Sequence, residues 1–409
     1  MRRLAVVPVC ALLALAGCSG DTTPDDATAT SDRSVAAGDP GSTEVDDPGS
    51  TEMDDPGSAE VDEGAWGVDI VADQLKIPWD LAVLPDGDLL VTERPGRISV
   101  VSDGSVSEVD TDLGDVFAKG EAGLMGIALS GDFADSGEFY VCSATTNDDV
   151  EVIAFTLSED RASAERQGAL VTGLPLASSG RHSGCRLLIG PDGMLYVGTG
   201  DSAAGTNPQD LTSLGGKVLR IDPATGKAPP DNPFADSSDK RTQLIYTYGH
   251  RNVQGLAVRS GSDDIYSVEH GPDIDDEINL LEPGGNYGWN PVGSGEYDES
   301  VPMTDTDLDG AVEALWSTGD PTFALSGAAF LEGGTWGDAE GTLAVAALKG
   351  SALYLVDLGD GGSAPVVSKL PQLDQEYGRL RSVVAGGDGV LYVTTSNGKD
   401  DKILKLTTG

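Results

Sequence analysis

Six copies of one short pattern constrain this chain more than any other feature of it. The clearest copy reads LAVLPDGDLLVTERPGRISVV from Leu81, and it returns as LLIGPDGMLYVGTGD from Leu187 and as VVAGGDGVLYVTTSNGKDDKILKL from Val383. Each opens with an alternating apolar run, an Asp-Gly turn and a second alternating run, the mark of two antiparallel strands. Weaker copies begin near Ile127, Leu256 and Ala328. No long stretch carries helical periodicity, so the fold class is all-β. Six units in about 340 residues suit a six-bladed β-propeller of four-stranded blades, because each blade has an apolar face that only its neighbours can cover. A β-sandwich would give no reason for the sixfold recurrence. The apolar segment from Val68 to Val71 precedes the first unit, and it is predicted to pair with the last blade and fasten the two ends of the domain.

Ahead of the repeats the chain has a different character. Arg2 and Arg3 precede an apolar run from Leu4 to Ala16, a charged start and a hydrophobic stretch too short to span a bilayer stably. Residues 1–18 therefore read as a signal peptide. Its end, Leu15, Ala16, Gly17 and Cys18, looks like a lipobox, which predicts an acylated Cys18 and a protein held at the outer face of the cell membrane; ordinary secretion is the alternative. Residues 19–65 read as an acidic linker. Up to residue 63 it contains no aromatic side chain, and it includes DPGSTEVD, DPGSTEMD and DPGSAEVD in tandem, so it cannot bury enough apolar surface to offset chain entropy and is expected to be disordered. The propeller domain is then 66–409.

A formal charge of −43 argues against nucleic acid or an anionic lipid surface as a partner, since both would repel the chain. Of four cysteines, Cys10 leaves with the leader and Cys18 carries lipid. Cys142 and Cys185 remain, either as a disulfide in an oxidising compartment or as two separately buried thiols.

All three histidines, His182, His250 and His270, fall in loops between strands, each in a dense polar cluster. A lone histidine is usually structural, but three of three in this setting point to function, because imidazole is the side chain best suited to proton transfer near neutral pH.

The segments GRHSGCRLLIGPDGMLYVGTGD, DLTSLGGKVLRID, YTYGHRNVQGLA, EHGPDIDDEINLLEPGGNYGWN and GRLRSV follow one another within residues 77–406. In these motifs the chain resembles the soluble quinoprotein glucose dehydrogenases and aldose sugar dehydrogenases, which oxidise sugars with pyrroloquinoline quinone and calcium. The resemblance implies that His182 is the base taking the substrate hydroxyl proton, while hydride passes from the sugar carbon to the quinone. Arg251 and Asn252 match quinone-contacting positions, and a guanidinium there can stabilise charge on the reduced cofactor. Lys349, Arg379 and Arg381 match cations that meet its carboxylates, and Glu121 and Thr322 match two further contacts. A carboxylate beside an anionic quinone requires that Glu121 be protonated or hydrogen-bonded. Where soluble glucose dehydrogenases have Gln before a Gly-Pro turn, this chain has His270.

The same resemblance implies a calcium held by backbone carbonyls at Gly271 and Pro272, and a second position at Glu277 and Tyr287. It implies a sugar as substrate and leaves the electron acceptor open. Two other functions fit a propeller: a calcium-dependent lactonase, and a non-catalytic extracellular binding module. The first has no use for cations converging on a tricarboxylate, and the second has none for the pair His182 and Arg251.

Overall fold

The structure is a computed structural model that describes residues 66–146, 149–293, 295–359 and 364–408. The signal peptide, Cys18 and the acidic linker lie outside the described residues.

Six antiparallel sheets are arranged as the blades of a propeller. Their innermost strands are Pro78–Val83, Leu124–Leu129, Gly184–Ile189, Val253–Val258, Leu325–Phe330 and Leu380–Gly387. Every one of the six sequence repeats falls on one of these strands. Each innermost strand packs on the next, and the last packs on the first, so the ring is closed. Between blades, mostly apolar side chains interlock; Phe139 and Phe155 of blade two, for example, share a cluster with Leu90 and Ile98 of blade one. A blade on its own would leave such a face in water, so the ring is stable only as a whole.

Blade six is made from both ends of the domain. Trp66–Leu75 pairs antiparallel with Asp401–Thr408, with Val68 opposite Leu406, as the sequence predicts. Blade two gains a short fifth strand, Asp110–Thr111, parallel to its outermost strand Ser163–Pro175. Blades two and three are stapled by a disulfide from Cys142, on Glu138–Ala144, to Cys185, on Gly184–Ile189, which settles the open pairing.

The central channel is divided. A cavity of about 380 Å³ touches the downstream halves of all six innermost strands, among them Val83, Leu129, Ile189, Val258, Phe330 and Val384. Its lining is largely aliphatic, and it ends on Asp80 and Arg186, whose side chains pair at 2.5 Å. Ser382 donates to the same Asp80 oxygen at 2.6 Å, and Trp79 packs under the Arg186 guanidinium, 4.4 Å from ring to charge centre. This buried polar plug separates the aliphatic cavity from the other mouth. At that mouth, where the chain enters each innermost strand, Glu121, His182, Asn252, Thr322 and Arg379 are found.

Candidate active site

The chain reaches His182 through Gly180 and leaves it through Gly184, in a loop where His182 itself takes a φ of +49°. A non-glycine residue in the left-handed region costs on the order of 1–2 kcal/mol, so the surrounding contacts must hold it there. Several do. The backbone N–H of His182 donates to Glu121 Oε1 at 3.1 Å, and Ser202 N–H donates to the His182 carbonyl at 3.1 Å. Gly200 passes so close that a Cβ on it would overlap that same carbonyl. Only glycine fits there.

The imidazole is fixed at one nitrogen by a buried carboxylate and meets partly exposed side chains at the other. His182 Nδ1 lies 2.8 Å from Asp201 Oδ1, and both side chains are buried. Burial is the largest single influence and would raise the Asp201 pKa, but the hydrogen bond and charge of His182, the Trp289 Nε1 bond at 2.8 Å and the Ala203 N–H together hold the carboxyl below its ordinary value. Tyr297 also donates to Asp201 Oδ2, at 2.9 Å. An ionised Asp201 can only accept, so the proton sits on His182 Nδ1 and the lone pair on Nε2. Nε2 faces Arg181 Nη2 at 3.3 Å and Glu299 at 3.8 Å.

Arg251 is buried beside this imidazole. Its Nη1 donates to the His270 carbonyl at 2.7 Å, its Nη2 meets Glu299 at 2.7 Å, and its guanidinium lies over the Trp289 ring. Its Nε is buried with no hydrogen-bond partner among the described residues. Asn252 donates to Glu121 Oε2 at 2.8 Å and accepts from Gly184 N–H at 3.1 Å, so it ties the His182 loop to blade four.

Glu121 meets the requirement set by the sequence, that it be protonated or hydrogen-bonded, in the second way. Both its oxygens accept hydrogen bonds, from the His182 backbone and from Asn252, and although burial opposes it, the positive surroundings hold its pKa below the ordinary value. Cations gather around it. Arg381 is buried, bonded to Gln254 Oε1 at 3.1 Å and to Ser396 at 3.3 Å. Burial, with the guanidiniums of Arg186, Arg379 and Arg94 nearby, pushes it down to about 9 against the pull of Glu121. Arg94, which donates to the Gly120 carbonyl, was invisible to the motif reading. Arg186 is paired with Asp80, and Glu121 alone does not balance Arg94, Arg379 and Arg381, so the cluster fits an anionic ligand. Lys349 is exposed, with its backbone bonded to the Phe323 carbonyl.

Among the described residues no three His, Cys, Asp or Glu side chains converge as a metal site, so a cation here would depend on carbonyl oxygens. The Gly271–Asp275 turn offers them. Asp276 accepts from Gly271 N–H at 2.9 Å, from the Thr322 hydroxyl at 2.6 Å and from Phe323 N–H at 2.7 Å, so Thr322 acts here by fastening the turn. The carbonyls of Gly271 and Pro272 accept no hydrogen bond from the described residues. Burial holds the His270 imidazole below its usual pKa, against the pull of Asp276 and Glu121.

At the second predicted position, Glu277 is buried and accepts from Thr304 at 3.0 Å, while Asn279 Oδ1 next to it is buried with no hydrogen-bond partner among the described residues. Tyr287 spends its hydroxyl on the Leu280 carbonyl and the Glu282 N–H, so only its backbone carbonyl could face a cation. His250 serves structure, bonded to Glu269 and Thr247 and stacked 4.7 Å from Tyr287.

Known proteins share this architecture. The aldose sugar dehydrogenase YliI of Escherichia coli is 31% identical over 349 residues, which cover 83% of this chain and 92% of the relative. Quinoprotein glucose dehydrogenase B of Acinetobacter calcoaceticus is 29% identical, covering 81% of this chain and 86% of its own. The PQQ-bound aldose sugar dehydrogenase of Streptomyces coelicolor superposes with a TM-score of 0.71 at 34% identity, over 85% of this chain and 99% of that one. With the glucose/sorbosone dehydrogenase family model matching residues 75–405, this chain belongs to that family.

Proposed function

We propose that this member of a quinoprotein family oxidises aldose sugars at the anomeric carbon to lactones, by hydride transfer to pyrroloquinoline quinone. The observation that carries the reading is the His182–Asp201 contact of 2.8 Å, which keeps the Nε2 lone pair directed at the mouth where Arg251 lies buried, able to take a proton from a hydroxyl that replaces Arg181 there. An unprotonated imidazole can accept the C1 hydroxyl proton at neutral pH, and that loss eases departure of the hydride from the same carbon. When bound, the quinone supplies the two-electron acceptor. Arg251 presents a fixed cation to an acceptor oxygen, and Arg381, Arg379 and Arg94 suit its carboxylates. The unpartnered carbonyls of Gly271 and Pro272 would hold a calcium, and Glu277 with Asn279 Oδ1 and the Tyr287 carbonyl would hold a second.

The lipobox-like end at Cys18 and the acidic tether support a domain tethered outside the cytoplasm by a lipid anchor. Metabolic labelling with a fatty acid should mark the wild-type chain and not Cys18→Ala.

The catalytic reading is tested by mixing apoprotein with the quinone and calcium, adding an aldose and following reduction of an artificial electron acceptor. Turnover is expected. Quinone binding without turnover across a broad panel of sugars would count against it. His182→Ala should bind the quinone and lose most turnover.

A further inference from the structure

One short segment, residues 289–299, sends three side chains into the site. Trp289 and Tyr297 both donate to Asp201 Oδ2 and so hold the residue that orients His182. The third, Glu299, does something different. Its Oε1 accepts from Arg251 Nη2 at 2.7 Å and from Arg181 Nη2 at 2.8 Å, its Oε2 lies 3.1 Å from the same Arg181 nitrogen, and it stands 3.8 Å from His182 Nε2. Among these residues the accessible ones are Glu299 and Arg181, whose side chains are 35% and 47% exposed, against 3% for His182 and 4% for Arg251. Whatever approaches the Nε2 lone pair from solvent therefore meets Glu299 and Arg181 first.

The geometry also shows what must be displaced. Arg181 Nη2 sits 3.3 Å from Nε2, the position a substrate hydroxyl needs when it gives up its proton. A hydroxyl arriving there takes over the Arg181 contact. It leaves beside it one ionised carboxylate, which can only accept, and one guanidinium, which can only donate. Burial raises the Glu299 pKa, but hydrogen bonds from Arg251 and Arg181 outweigh it and keep the group ionised at neutral pH.

In an aldose pyranose two other oxygens flank the C1 hydroxyl: the ring oxygen, bonded to C1 and with no proton to give, and the hydroxyl on the adjacent C2, which has one. We infer that Glu299 is a specificity-determining residue that accepts a hydrogen bond from the C2 hydroxyl of the sugar, with Arg181 donating to a sugar oxygen. This assignment rests on the dehydrogenase reading above. It predicts that the enzyme discriminates between an aldose and its 2-deoxy analogue, because a site built around a charged acceptor is left unsatisfied when the hydroxyl is missing.

The test uses holoenzyme prepared with quinone and calcium, and compares kcat/KM for D-glucose and 2-deoxy-D-glucose in wild type, Glu299→Gln and Glu299→Asp. Wild type should favour glucose by roughly 10- to 100-fold, the range expected of one hydrogen bond to a charged group. Glu299→Gln should lose most of that factor on glucose, chiefly through KM, and lose several-fold less on the deoxy sugar, so that the ratio between the two sugars shrinks. Glu299→Asp, which keeps the charge, should recover part of the discrimination. Quinone titration by absorbance checks that each variant is loaded. Equal loss on both sugars in Glu299→Gln would mean that Glu299 acts only by positioning Arg251, and would overturn the assignment. So would a wild-type enzyme indifferent to the C2 hydroxyl. Loaded wild type that turns over no aldose would instead remove the dehydrogenase reading, and this assignment with it.

Discussion

His182 and Asp201 meet Nδ1 to Oδ1 at 2.8 Å, and the second oxygen of the same carboxylate is held by Trp289 and Tyr297. The aspartate therefore has no freedom to turn, and it dictates which imidazole nitrogen carries the proton. Asp201→Asn would let the amide donate to Nδ1 and push the proton to Nε2, the atom that has to accept one. A fall in kcat of about 10³- to 10⁴-fold is expected, with quinone binding retained, because the defect is in the tautomer and not in the cofactor cradle. Steady-state kinetics with a parallel quinone titration checks this. A loss of less than about tenfold would show that His182 does not depend on Asp201.

The same pair sets a pH dependence of stability. Asp201 titrates lower in the folded state than its ordinary value of 3.8. A depressed carboxylate contributes stability that is fully present above the unfolded value and is lost as pH falls through the folded one. The urea midpoints of wild type and Asp201→Asn should thus differ by a constant amount near neutrality and converge below about pH 3.8. A gap that widens on acidification would contradict the assignment of charge.

Cys142 and Cys185 close a loop of 43 residues and join two blades at buried positions. The chain-entropy relation gives about 4 kcal/mol for a loop of that length. A Cys142→Ala/Cys185→Ala double variant should lose stability of that order and unfold at lower denaturant, with a slope no smaller than that of wild type because the freed unfolded chain exposes more surface. Cys185 lies three residues after His182, so turnover should also fall before the domain unfolds. A variant equally active and equally stable would mean that the bridge is dispensable.

Much of this was legible before any coordinates. The six innermost strands declared themselves because alternation and Asp-Gly turns are local signals, and Leu81, Ile127, Leu187, Leu256, Ala328 and Val383 all fall on them. His182, Arg251 and Asn252 stand out by motif, and the structure ties His182 and Asn252 to Glu121 and sets Arg251 on Glu299 beside the His182 ring. What was hidden depends on ring closure. Asp201 follows an apolar strand in GTGDS, and a charge there was a usable hint, but Tyr297 and Glu299 lie in an irregular stretch 115 and 117 residues after His182, with no periodicity to mark them. Arg94 reaches Glu121 from blade one for the same reason. The resemblance makes Glu121 a cofactor contact; the structure adds that one of its oxygens bonds the loop that carries His182 and the other bonds Asn252 at the entry to blade four.

The closure of the ring yields the last prediction. Five blades are folded from continuous chain, but blade six needs Trp66–Leu75 to come back from the start of the domain and pair with Asp401–Thr408. Trp66 anchors that return: it is buried, its ring packs 4.9 Å from that of Trp336 of blade five at a tilt of 32°, and it sits opposite Thr408 at the end of the register. Trp66→Ala should cost about 3 kcal/mol, as large aromatic truncations in cores do. Phe155→Ala in blade two should cost a similar amount, since Phe155 is fully buried against Phe139. The two should differ in where the loss appears. Because the first change frees a chain end, hydrogen exchange should accelerate selectively at the amides of Asp401–Thr408, while the second should leave those amides protected up to global unfolding. If Trp66→Ala speeds exchange evenly in all six blades, the terminal strand is not a separable clasp and the ring opens only as one unit.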